Sequence, residues 1–115
     1  MQRGEIWEVD LDPARGSEAN KRRPAVIVSN DRANASATRL GRGVVTVVPV
    51  TSNTDKVYPF QVLLEASTTG LSLDSKAQAE QIRSVATQRL IRLIGKLSVP
   101  ELAELDNALK LHLAL

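Results

Sequence analysis

The chain of 115 residues contains no cysteine and a single histidine, His112. Without thiols it can form neither a disulfide nor a sulfur-ligated metal site, and one histidine excludes a two-histidine acid–base pair within one subunit. No stretch approaches the roughly 18 apolar residues of a membrane span, and the N-terminus has no apolar signal segment. These absences predict a cytoplasmic protein that does not bind membranes.

The chain also has little net charge. Its 15 Lys and Arg residues are nearly balanced by 13 Asp and Glu residues, which leaves a net charge of +2. A broad positive field of the kind that coats architectural nucleic-acid binders is therefore excluded. Positive charge is instead local, in the run 21–23. The carboxylates follow no ligand spacing, so we expect no metal and no cofactor.

The pattern of apolar residues predicts one domain over residues 1–115, mainly β with α (α+β). Alternating or β-branched segments indicate five or six strands, which suggests a compact barrel. Ser98 and Glu101 have the spacing of a capping box and predict a C-terminal helix packed on the sheet. The predicted strands are 5–11, 25–29, 43–50, 59–65, 75–83 and 90–97.

A long charged connection, residues 12–23, precedes the second strand, and loops of this length are more often functional than idle. Arg23 stands at the start of that strand and Thr51 at the end of the next, so a rigid sheet could bring a fixed cation and a hydroxyl together. Other roles stay open at this stage. The loop could be a disordered surface excursion, Arg23 could form a surface ion pair, and Thr51 could cap a strand end.

Seven short segments, in order along nearly the whole chain, resemble the MazF/PemK toxin family, the ribonuclease arm of bacterial toxin–antitoxin systems. They are Arg3–Trp7, Asp10–Pro13, Gly16–Glu18, Arg23–Pro24, Ser29–Asp31, Pro49–Ser52 and Gln81–Arg83. The resemblance implies an SH3-like barrel, a homodimer, a catalytic pair formed by Arg23 and Thr51, and a cognate antitoxin with a flexible acidic tail. The chain departs from some members, which carry histidine in place of Ser17 and arginine in place of Gln78.

RNA is a substrate that this inventory of residues can cleave without a metal, because its 2′-hydroxyl can attack the adjacent phosphorus. The protein must align the attack, neutralise the developing charge and manage two protons. Arg23 suits the charge, since its forked donors match two phosphate oxygens. Thr51 would donate to a phosphate oxygen or orient the 2′-hydroxyl. Glu18 or Glu80 is the hypothetical proton acceptor.

Single-stranded RNA is the expected substrate, since specific reading of RNA favours splayed single strands. Gln81 and Arg83, two apart on a predicted strand, would face one side and serve either RNA binding or a subunit interface. The remaining candidates lie in the 12–23 loop and in the segment 52–60. The expected substrate-binding residues are Glu18, Lys21, Arg22, Ser52, Lys56, Tyr58, Gln81 and Arg83.

Two other functions fit the same predicted fold. A CcdB-like toxin would bind DNA gyrase without chemistry and would not need Arg23 and Thr51 as a working pair. A plain RNA-binding or adaptor module would need neither catalysis nor an antitoxin.

Overall fold

The computed structural model describes residues 1–115 and contains seven strands and three α-helices. The strands are β1 Glu5–Asp10, β2 Arg22–Ile27, β3 Val44–Thr51, β4 Gln61–Leu64, β5 Ser75–Gln78, β6 Arg83–Ala86 and β7 Leu90–Lys96. The helices are α1 Asp31–Leu40, α2 Ala66–Thr69 and α3 Val99–Leu113. Two 3₁₀ turns cover Ala79–Gln81 and Thr87–Arg89. None of the helices combines the length and apolar character needed to cross a membrane.

The strands form one antiparallel sheet in the order β4-β5-β3-β2-β1-β7, with β6 also paired to β3. Strand β3 is the centre of this sheet, because it pairs with β2, β5 and β6. Its C-terminal end pairs with β5, and its middle pairs with β2. Side chains at the end of β3 therefore lie between those of β2 and β5.

Both faces of β2 and β3 are buried, which explains their continuous apolar sequence. On one face Val26 and Val48 join the larger core cluster, which α3 covers through Leu105 and Leu109. On the other face Ile27 and Val47 join a smaller cluster. This double burial fixes the register of the two strands, because a slip by one residue would exchange the two faces.

The helix termini follow the local sequence. The capping box that begins α3 is confirmed: the Ser98 amide donates to Glu101 Oε1 at 2.8 Å, and the Glu101 amide donates to Ser98 Oγ at 3.3 Å. Asn30 caps α1 by accepting a hydrogen bond from the Ala33 amide at 2.9 Å. The helix that Asn30 begins is 10 residues long.

The mixed β and α fold with a packed C-terminal helix is confirmed, but the sheet has seven strands because the predicted strand 75–83 is two strands. Thr51 lies opposite Lys76, whereas Val47 lies opposite Arg83. The two pairs are thus four residues apart along β3 but seven residues apart along the segment that contains β5 and β6. The 3₁₀ turn Ala79–Gln81 accommodates the three extra residues. The prediction that Gln81 and Arg83 lie on one strand is therefore wrong.

Candidate active site

The register of β2 and β3 brings Arg23 and Thr51 to neighbouring positions. Ala25 lies opposite Pro49 as the last pair of this ladder, and the same register continued by two residues places Arg23 opposite Thr51. Residues directly opposite in an antiparallel pair share one face, with Cβ atoms about 5 Å apart. The guanidinium and the hydroxyl therefore project from the same side of the sheet.

A groove of about 250 Å³ opens beside this pair, and we call it the basic groove. Its cations are Lys21, Arg22 and Arg23, and its hydroxyls include that of Ser52. Thr51 is not among its lining residues, because side chains alternate along β3 and that of Thr51 points to the other face. Of the pair, Arg23 lines the basic groove and Thr51 does not.

The guanidinium of Arg23 is held by one residue of the preceding loop. Nε donates to the Asn20 carbonyl at 2.8 Å, and Nη2 donates to Asn20 Oδ1 at 3.2 Å. Arg23 forms no salt bridge, so the surface ion pair considered as its other role is absent. Of its five N–H donors, three remain available to an incoming anion.

Thr51 ends β3 and is half-buried. Its Oγ1 accepts a hydrogen bond from the Asn53 amide at 3.3 Å, so the residue does cap the end of its strand. The hydroxyl hydrogen is not used in this contact. Capping and donation to a phosphate oxygen are therefore compatible at Thr51.

Lys76 is a third polar residue of this face that the sequence analysis missed. It lies opposite Thr51 on β5 and is only 8% exposed. Its Nζ donates to the Lys56 carbonyl at 2.5 Å. The available signal in the sequence was a lone lysine between Ser75 and Ala77 in a predicted strand.

The segment that covers Lys76 carries the predicted contacts Lys56 and Tyr58. Lys56 Nζ lies 4.8 Å from the Tyr58 ring centroid, which is cation–π distance. Tyr58 stacks on Phe60 with centroids 5.3 Å apart and an interplanar angle of 5°. Tyr58 remains 41% exposed, so an aromatic edge is open to solvent beside two lysines.

Gln81 and Arg83 contact the loop that leads to the basic groove. Gln81 Oε1 accepts from the Ala19 amide at 2.9 Å, and its Nε2 donates to the Ser17 carbonyl at 2.9 Å. Arg83 Nη1 donates to the Leu11 carbonyl at 3.3 Å. Both residues therefore fasten the loop to the sheet, a role that the sequence analysis did not consider.

The two candidate proton acceptors line a different groove, of about 320 Å³. Glu18 is exposed in the loop, and Glu80 lies in the 3₁₀ turn. Gln61 Nε2 donates to Glu80 Oε2 at 2.7 Å, whereas Oε1 is buried without a partner. Arg23 does not line this groove. No group of three or more His, Asp or Glu side chains could hold a metal ion.

Comparison with known proteins identifies relatives for almost the whole chain. The family described as "PemK-like, MazF-like toxin of type II toxin-antitoxin system" matches residues 2–113. The endoribonuclease MazF9 of Mycobacterium tuberculosis is 78% identical over 115 residues, which cover 100% of this chain and 98% of the relative.

Two solved structures from Deinococcus radiodurans share the fold. That of MazF is 26% identical, with a TM-score of 0.83, and the match covers 100% of this chain and 97% of the other. That of a MazE-MazF complex is 25% identical, with a TM-score of 0.76, and the match covers 100% and 96%.

Proposed function

Because the chain belongs to the PemK-like, MazF-like family of toxins of type II toxin–antitoxin systems, we propose that it is a toxin that cleaves single-stranded RNA. Its relative MazF9 is named an endoribonuclease, and the two share 78% of their residues over the full chain. The observation that carries the proposal is the shared face on which the register of β2 and β3 places Arg23 and Thr51. A fixed cation next to a hydroxyl is what a metal-independent phosphodiester cleavage needs.

In the proposed reaction, the 2′-hydroxyl of RNA gives up its proton to solvent and attacks the neighbouring phosphorus to form a cyclic phosphate, while the bond to the 5′-oxygen of the next nucleotide breaks and that oxygen takes a proton from solvent. Arg23 stabilises the charge that builds on the phosphate oxygens, because three of its five donors have no acceptor within the protein. Thr51 donates its hydroxyl hydrogen to a phosphate oxygen. The contact between Arg23 and Asn20 orients the guanidinium before RNA arrives.

Recognition of a short RNA sequence is proposed for the surfaces on either side of this pair. Arg22, Lys21 and Ser52 line the basic groove and would contact the backbone. Lys56 and Tyr58 form the exposed cation–aromatic pair and would contact a base. Glu18, Gln81 and Arg83 line the second groove and would contact the RNA further along the strand.

The family supplies the proposed partners. A type II toxin is held inactive by a protein antitoxin, and a flexible acidic tail would pair with Arg22 and Arg23 and exclude RNA by competition. We further propose that the toxin is a homodimer and that it acts in the cytoplasm, where transcripts are available. A solved MazE-MazF complex of Deinococcus radiodurans supports a protein partner.

The alternative of a CcdB-like gyrase poison is not favoured, since the relative at 78% identity is named an endoribonuclease. A gyrase binder would have no use for an arginine and a hydroxyl on one face of the sheet.

Cleavage of a mixed-sequence single-stranded RNA in excess EDTA tests the proposal. Wild type should yield 5′-hydroxyl and cyclic phosphate ends, and Arg23→Ala should lose about a hundredfold to a thousandfold in rate, the usual cost of one transition-state donor. Thr51→Ala should also be impaired. Arg39→Ala is the matched control, because this exposed arginine lies in the last turn of α1 and lines another groove. A wild-type protein that leaves the RNA intact would refute the proposal.

A further inference from the structure

Lys76 completes a row of three side chains across the sheet. Lys76 lies opposite Thr51 on β5, and the register of β2 and β3, continued two residues past the pair Ala25 and Pro49, places Arg23 opposite Thr51 on the other side. Since neighbouring strands are about 4.8 Å apart, the two cations start from backbones about 10 Å apart with the hydroxyl between them. The site is thus flanked by positive charge on both sides.

The charge of Lys76 has no counterion within the protein. The side chain is 8% exposed, and none of the three salt bridges of the chain includes it. Its only hydrogen bond is to the Lys56 carbonyl, and its Nζ lies 6.0 Å from the centroid of the Tyr58 ring. Two of the three ammonium donors are therefore without a hydrogen-bond acceptor.

This arrangement is unfavourable for a residue that only fills space. Taking an ammonium out of water is costly unless it is paired, and a methionine or leucine would fill the same volume without that cost. A charge kept here is useful if an anion reaches it.

We propose that Lys76 is a substrate-binding residue that contacts a backbone phosphate of the RNA next to the scissile one. The inference rests on the proposed function, because the anion is the RNA held at Arg23 and Thr51. The ammonium points towards Lys56 and Tyr58, so the phosphate it takes flanks the scissile linkage on the side of that pair. The segment 52–60, which supplies Lys56 and Tyr58, contains no helix or strand.

The salt dependence of RNA binding tests this contact, because each neutralised phosphate of a single strand contributes about 0.7 to the slope of log affinity against log salt. The probe is a 2′-O-methyl version of an RNA that wild type cleaves, which binds without reacting. Lys76→Gln removes the charge but can still donate to the Lys56 carbonyl, and Lys76→Arg keeps the charge. Lys110→Gln, on the exposed surface of α3, is the matched control.

We expect the slope to fall by about 0.7 in Lys76→Gln. The ratio of wild-type to variant affinity for the RNA should therefore shrink about 2.5-fold between 50 and 200 mM salt. The kcat/KM for cleavable RNA should drop about tenfold, as expected for a lost charge-assisted hydrogen bond. Lys76→Arg and Lys110→Gln should keep the wild-type slope. A purely structural lysine would alter affinity without altering the slope.

Equal slopes for wild type and Lys76→Gln, with wild type active, would overturn the role of Lys76 and leave the proposed function standing. If wild type neither binds nor cleaves RNA, the proposed function fails first and this inference fails with it. If Lys76→Gln does not fold, the salt slope of wild type is compared with that of Lys76→Met, which keeps the length of the side chain and removes the charge.

Discussion

The contact between Gln81 and the loop offers the sharpest test of how the candidate site is held. Gln81 binds two backbone groups of the loop: it accepts a hydrogen bond from the Ala19 amide and donates one to the Ser17 carbonyl, each at 2.9 Å. The next residue, Asn20, is the one that binds the guanidinium of Arg23. Replacing Gln81 by alanine should therefore loosen Arg23 without touching it.

The size of the effect follows from the two hydrogen bonds. The bond to Ala19 is partly buried and should contribute about 1 kcal/mol, and the exposed bond to Ser17 about 0.5 kcal/mol. A loss of about 1.5 kcal/mol raises the population of the open loop about tenfold. Because only the loop opens, the melting temperature should change by no more than about 2 °C.

Amide hydrogen exchange measures this opening directly. In Gln81→Ala the amide of Ala19 should exchange about tenfold faster, and kcat/KM for RNA should fall by a similar factor or less. Gln81→Glu should be intermediate, since it keeps an acceptor for Ala19 but turns a second acceptor towards the Ser17 carbonyl. Gln88→Ala is the matched control, because Gln88 is exposed and makes no contact with the loop.

Unchanged exchange at Ala19 in Gln81→Ala would show that the amide does not hold the loop, and the reasoning would be refuted. Faster exchange with unchanged kcat/KM would show that the loop is held by Gln81 but does not position Arg23.

Two further changes test the frame of the site. Asn20→Ala should lower kcat/KM about threefold to tenfold, because Arg23 loses the 3.2 Å bond to Oδ1 but keeps the backbone bond; wild-type kinetics would exclude Asn20 as a positioning residue. Gly95→Ala should cost about 3 kcal/mol, or about 10 °C in melting temperature, because its Cβ would come within 1.9 Å of the Thr69 carbonyl oxygen. A melting curve like that of wild type would contradict this steric argument.

Sequence alone determined the features that depend on local chemistry. The capping box of α3 depends only on two residues that are three apart in the sequence. The buried strands β2 and β3 can be predicted from their apolar runs. Arg23 and Thr51 could be chosen from their place at strand ends and from the family resemblance.

The tertiary structure decided which residues far apart in the chain meet. Lys76 comes beside Thr51 only through the register of β3 and β5, and a register is set by the packing of whole strands. Gln81 reaches Ala19 because a 3₁₀ turn of three extra residues interrupts the predicted strand 75–83. Periodicity along one segment carries no information on such pairings, since they depend on which partner each strand finds.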